Sequence, residues 1–190
     1  MKFSLLESIR PGTVRLTSMS AVKVIGGVAA TAIAALASLI VPPSAHAKTF
    51  GVELTGTYKV SSDGEFAKTN DVFMDQQSVV ETWTANTSCI SPIECTGQVT
   101  SDGGWTGSAR LDNFWYIEHD IPNWLPCSDG TFAPGHQMFI LWGIDPATAE
   151  GITENIKYFA GRNVTKTSSG ACGINKPVVI EMPVVVEKLS

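Results

Sequence analysis

Two hydropathy patterns divide this chain. From Val24 to Val41 run eighteen residues without a charge, within AVKVIGGVAATAIAALASLIV, whereas beyond residue 48 apolar residues come only in short runs punctuated by turn formers. The first pattern ends at Pro42-Pro43 and then Ala45-His46-Ala47, with Lys2, Arg10, Arg15 and Lys23 ahead of it. Basic residues, an apolar middle and small residues at −3 and −1 of a cut before Lys48 predict a secretory signal peptide over residues 1–47. A helix over Val24–Val41 would reach about 27 Å, nearly a bilayer core, so an anchor through residues 24–41 is the alternative. The Ala and Gly content of the run and the absence of a basic flank after it favour cleavage, and Met19 is an alternative start that gives a more ordinary leader.

The second pattern predicts strands. Ser62-Asp63-Gly64, Asp102-Gly103-Gly104, Asp112-Asn113 and Asp129-Gly130 read as turns. Between them the β-branched and aromatic runs Thr55–Val60, Ser78–Thr84, Thr96–Thr100, Trp105–Leu111, Phe114–Glu118, Gln137–Trp142, Ile152–Phe159 and Val178–Glu187 are strand candidates. Alternation is clear in Ala109 and Leu111 against Ser108 and Arg110. It vanishes in Met138–Trp142, which therefore reads as a central strand buried on both faces. Pro183 has no N–H to give a ladder, so it belongs at an edge or a bulge. Ala147–Phe159 is the one rival helix; alternation at Ile152, Ile156 and Tyr158 favours a strand, with a short helical turn over Pro146–Glu150. The expected fold is mainly β, a single antiparallel β-sheet domain over residues 48–190. It could be a meander, curled sheet, sandwich or barrel, with at most a short helix.

Charge narrows the partners. Residues 48–190 hold 17 acidic and 9 basic residues, a net −8. That balance argues against nucleic acid and broad anionic surfaces, while leaving room for a local cationic or apolar site. All four cysteines, Cys89, Cys95, Cys127 and Cys172, lie beyond the cut, as an exported, oxidised domain requires. Four cysteines allow three pairings. Proximity favours Cys89 with Cys95, which leaves Cys127 with Cys172. No C-x2-4-C spacing suggests zinc instead.

Candidate chemistry is sparse. Residues 48–190 contain two histidines, His119 and His136, and no G-x-S-x-G, H-E-x-x-H, Walker A or EF-hand pattern. Glu118-His119-Asp120 is the one cluster; on a strand the two carboxylates share a face and His119 points to the other. The plain reading is a solvated strand end before Pro122; the sharper one is a carboxylate pair for hydrolysis. Of five tryptophans, Trp83, Trp105, Trp115 and Trp142 fall in strand candidates and are expected in the core. Trp124 and Leu125, in an apolar loop beside Cys127, form a possible binding lip. Asn86 and Asn163 head N-x-S/T sequons. No catalytic residue, metal ligand or cofactor is assigned.

Taken in order, Gly56-x-Tyr58, Trp83 before Cys89 and Cys95, Gly104-Trp105-Thr106-Gly107, Trp115, Cys127-Ser128-Asp129-Gly130-Thr131, Trp142-x-x-Asp145-Pro146, Gly170-Ala171-Cys172-Gly173 and Pro183-Val184 form a pattern. It resembles a family of small secreted mycobacterial proteins of unknown function with a two-disulfide, Trp-rich domain. The resemblance implies the signal peptide, two disulfides and an envelope setting, with the sequons unmodified; it supplies no catalytic residue. The expected function is therefore a secreted, non-enzymatic binding or interaction module of the cell envelope, whose partner is a lipid or other envelope component and not nucleic acid. The alternative is a small envelope hydrolase using Glu118 and Asp120.

Overall fold

The computed structural model describes residues 49–190. The leader 1–47, the cleavage residues Ala45, Ala47 and Lys48, and the apolar run 24–41 lie outside the described residues. Ten strands follow one another: β1 (Gly56–Ser62), β2 (Lys68–Thr69), β3 (Val72–Phe73), β4 (Val79–Ser91), β5 (Glu94–Ser101), β6 (Thr106–Asp112), β7 (Phe114–Pro126), β8 (Phe132–Ile144), β9 (Tyr158–Lys166) and β10 (Val179–Lys188). β1 pairs antiparallel with β4, each of β4 to β9 pairs antiparallel with the next, and β10 returns to β1 from Tyr58↔Lys188 to Ser62↔Val184. The result is an eight-stranded antiparallel barrel, with β2 and β3 as a small hairpin excursion paired to β10. Among the described residues no helix is long and apolar enough to cross a membrane.

The turn chemistry explains the meander. Asn113, between β6 and β7, takes a left-handed φ of 59°, and Gly130, between β7 and β8, one of 83°. At the latter tip the Asp129 carboxylate accepts from the Thr131 amide and hydroxyl. In the excursion, Asn70 and Asp71 are both left-handed, as a two-residue hairpin tip requires.

Alternation along each strand sends one parity inward. Tyr58, Val60, Trp83, Val99, Trp115, Ile117, Phe139, Leu141, Phe159, Val184 and Val186 are buried together. An eight-stranded barrel is just wide enough for such side chains to fill. Here the small inward residues Ala85 and Ala109 make room for Trp83 and Trp115. Burial pushes the Tyr58 phenol up to about 12, and its hydroxyl donates to the Thr55 carbonyl. Toward one end the lining turns polar. Glu81 accepts the indole N–H of both Trp83 and Trp105, and Trp105 stacks flat on His119 at 4.0 Å. The amides orient a chain: Asn163 donates to Ser62, Gln137 donates to Asn163, and Gln137 Oε1 is left to accept from His119 Nε2.

Both expected bridges form, Cys89–Cys95 across directly paired residues and Cys127–Cys172 across β8 and β9. Cys172 sits in a short 3-10 turn, Ala171–Gly173, the one helical element among the described residues.

Several sequence expectations are corrected. Met138–Trp142 is not buried on both faces: Phe139 and Leu141 point in, and Trp142 points out and is 36% exposed. A single-layer barrel has only one dry face, and the outward parity here is apolar for another reason. Residues 152–157 are loop, and β9 begins at Tyr158. Pairing with β8 stops at one bridge, Gly151 to Ile144, and the Ile152 amide on the Gly143 carbonyl at 3.0 Å, while the Ile156 side chain packs over Gly143. Over Pro146–Glu150 the Ala149 amide donates to the Asp145 carbonyl at 2.7 Å, closing a single turn with Ala149 left-handed, and no helix follows. Trp124 and Leu125 lie within β7, past a register break after Ile121. Pro183 lies inside the barrel wall, where β1 has just ended: its carbonyl accepts from Asp63 N–H at 2.9 Å, so its N–H side faces the gap left by β1.

Candidate functional site

The end of the barrel away from the polar chain is closed by residues 49–55, a strap without strand pairing. Three contacts hold it. The Trp115 indole N–H donates to the Val52 carbonyl at 3.3 Å. Thr87 Oγ1 accepts from the Leu54 amide and donates to its carbonyl, at 3.0 and 3.1 Å. The Asn155 amide donates to the Gly51 carbonyl at 2.8 Å. Val52 and Leu54 are thereby buried in the barrel mouth. Glu53 braces the turn, accepting from the amides of Phe50 and Gly51. Desolvation raises the Glu53 pKa, but those two amides, with its own and that of Val52, outweigh it and hold the carboxyl below the usual glutamate value.

Beside the strap lies an apolar groove of about 610 Å³. Five separate segments wall it: the strap through Val52, the β4–β5 tip through Pro92 and Ile93, the β6–β7 tip through Phe114, the end of β8 through Trp142 and Gly143, and loop 151–156 through Ile152 and Ile156. Leu111, Trp115 and Leu141, which belong to or pack on the core, form its floor. Ile93 is 75% exposed, and Phe114 and Trp142 meet edge to face at 6.0 Å. Large apolar side chains left in water at a concave site make this groove the candidate docking surface. Glu154 is the one charged residue in the lining. Gly143 makes the wall possible: a Cβ there would run into the Ile152 carbonyl and stand 2.7 Å from Ile156 Cδ1.

A second cavity, about 420 Å³, shares Val52 and Ile156 with the groove. Its lining is mixed: Thr55, Thr87, Ser88 and Asn155, with Lys157, Lys188 and Glu53, stand beside Val52, Cys89 and Ile156.

The residues singled out from the sequence lie elsewhere. Trp124 is half-buried and lies across Gly135, where a Cβ would stand 2.7 Å from its ring; neither it nor Leu125 lines the groove. Glu118 and Asp120 do share the outer face, with His119 inward, but each has its own partner. Arg110 donates to Glu118 at 3.3 Å, and Asp120, 80% exposed, pairs with His136 at 2.8 Å. Among the described residues no group of three His, Cys, Asp or Glu side chains converges as a metal site would. The groove residues Ile93, Phe114, Trp142, Ile152 and Ile156 were missed. Their signal was present, since Phe114 and Trp142 are apolar at positions whose parity is outward.

No family model and no curated protein matches the chain. Among solved structures, the fold is similar to that of the PknI sensor domain of M. tuberculosis in its monomer form. The TM-score is 0.50 at 19% identity, over 74% of this chain and 90% of that one. Fold and site together define a disulfide-stapled antiparallel barrel, filled inside and open to an apolar groove at one end.

Proposed function

We propose that residues 48–190 act as a secreted, non-enzymatic binding module of a mycobacterial-type cell envelope, released by cleavage after Ala47, and that its ligand is the hydrocarbon chain of an envelope amphiphile held in the groove. The observation that carries this reading is the groove itself, an apolar concavity rimmed by exposed Ile93, Phe114 and Trp142. Its volume lies within the range of small-molecule sites. Two disulfides support an oxidising compartment. The PknI domain of like fold is a sensor domain, and sensing is the form that binding without chemistry would take here.

The test is a titration of the oxidised domain with monolaurin, a neutral single-chain amphiphile, below its micelle-forming concentration, followed by amide chemical shifts. Saturable binding should move the amides of residues 91–94, 112–116, 141–144 and 151–156. Replacing Ile93→Ser together with Trp142→Ser should weaken it by roughly tenfold, as loss of two buried apolar contacts predicts. Absence of saturable binding, or shifts confined to the region of Trp124, would refute the reading.

A further inference from the structure

We propose that the ligand of this groove carries an anionic head, a carboxylate or phosphate monoester, and that the head is held in the adjoining lysine-bearing cavity by Lys157 and Lys188. This inference rests on the groove reading above. Three observations carry it.

The two cavities are neighbours across one sill. Val52 and Ile156 line both, so a single molecule bent over them places its chain against Ile93 and Trp142 and its head among Thr55, Ser88 and Asn155. The sill is fixed rather than loose, because the Val52 carbonyl is bonded to Trp115 and the neighbouring Leu54 to Thr87 on both its amide and its carbonyl.

Charge is segregated between them. The groove holds one acid, Glu154, which repels an anionic head from that side. The second cavity holds two of the nine cations that residues 48–190 possess. Among the described residues neither lysine takes part in an ion pair, and Lys188 Nζ lies 5.8 Å over the Tyr58 ring. Glu53, the only acid in that cavity's lining, is turned into the strap, where the Phe50 and Gly51 amides occupy its oxygens. In a domain of net −8, an unpaired lysine pair beside an apolar groove selects an anionic amphiphile one molecule at a time. The same net charge keeps the domain off an anionic bilayer.

Dodecyl phosphate, lauric acid, monolaurin and inorganic phosphate are titrated separately against the oxidised domain at neutral pH, the amphiphiles below their micelle-forming concentrations. The two anionic amphiphiles should bind roughly tenfold more tightly than monolaurin, as one charge-assisted contact to a lysine predicts. They should shift amides in both cavities, and the preference should shrink as salt is raised. In Lys157→Gln, an exposed loop substitution, the ratio should fall, and in Lys157→Gln with Lys188→Gln it should approach one; Lys176→Gln, on another face, should leave it intact. Equal affinity for monolaurin and the anionic chains in the wild type, or a preference that survives the double substitution, overturns the assignment of the head. Inorganic phosphate binding as tightly as dodecyl phosphate overturns the bipartite site. If monolaurin itself fails to bind, the groove reading falls too, so the two failures are separable.

Discussion

Substituting Glu81→Gln tests the polar end of the barrel with almost no change of shape. The Glu81 carboxylate accepts the Trp83 indole N–H on one oxygen at 3.0 Å and the Trp105 indole N–H on the other at 3.1 Å. A glutamine presents one oxygen and one NH2, so one indole N–H would face a donor. Trp83 is completely buried, and water cannot reach its N–H to compensate. Hydrogen bonds to a charged group contribute about 1.5–3 kcal/mol, and an orphaned buried donor costs about 1–3 kcal/mol. Losing one bond and weakening the other to a neutral one should therefore remove about 2–3 kcal/mol, a drop of roughly 5–10 °C in Tm for a domain of this size. Urea unfolding at neutral pH, followed by tryptophan emission and far-ultraviolet dichroism, measures it. Glu118→Gln is the control, since its bond to Arg110 lies on the solvated wall and should contribute under about 0.5 kcal/mol. A Glu81→Gln loss no larger than that of Glu118→Gln would refute the argument that the carboxylate clamps the two indoles.

Removing the long bridge by Cys127→Ala with Cys172→Ala should cost about 4 kcal/mol from chain entropy, against about 2 kcal/mol for Cys89→Ala with Cys95→Ala, plus about 1 kcal/mol because Cys95 packs in the core. Urea melts that place the short-bridge variant clearly below the long-bridge one would contradict this order. Gly143→Ala should force loop 151–156 off β8, costing about 1–3 kcal/mol and weakening amphiphile binding together with stability. An unchanged melt with unchanged monolaurin affinity would show that Gly143 does not set the groove wall.

Much of the fold was legible because its determinants are local. Asp102-Gly103-Gly104, Asp112-Asn113 and Asp129-Gly130 all became hairpin tips, and the inward parity of β6 follows Ala109 and Leu111 as read. What was not legible is long-range. Barrel closure depends on Tyr58↔Lys188 and its neighbours, residues at opposite ends of the described chain, and no local pattern distinguishes that closure from an open curled sheet. The strap shows the same limit: residues 49–55 form no strand, and the Gly51, Val52 and Leu54 carbonyls and the Leu54 amide bond to Asn155, Trp115 and Thr87 from three other segments. Ile156 mimics a strand residue because burial over Gly143 imposes an apolar side chain on a loop. Periodicity reports which side chains are dry without saying what dries them.

The site was missed for a related reason, and Met138–Trp142 shows it. An unbroken apolar run implies that both faces of a strand avoid water, and the expectation of a central strand supplied a second protein layer for the outer face. In a single-layer barrel that layer does not exist. Phe139 and Leu141 satisfy the inward face, and the interior is filled by Trp83 and Trp115. Trp142 is then left outward against Phe114, at the rim of the groove. The surplus apolar face is what the proposed function rests on, since the fold offers no second layer to cover the outward tryptophan. A filled eight-stranded barrel has no room for a ligand inside. The proposed binding therefore falls at the end, where hairpin tips and the strap leave a gap between elements that the regular wall does not.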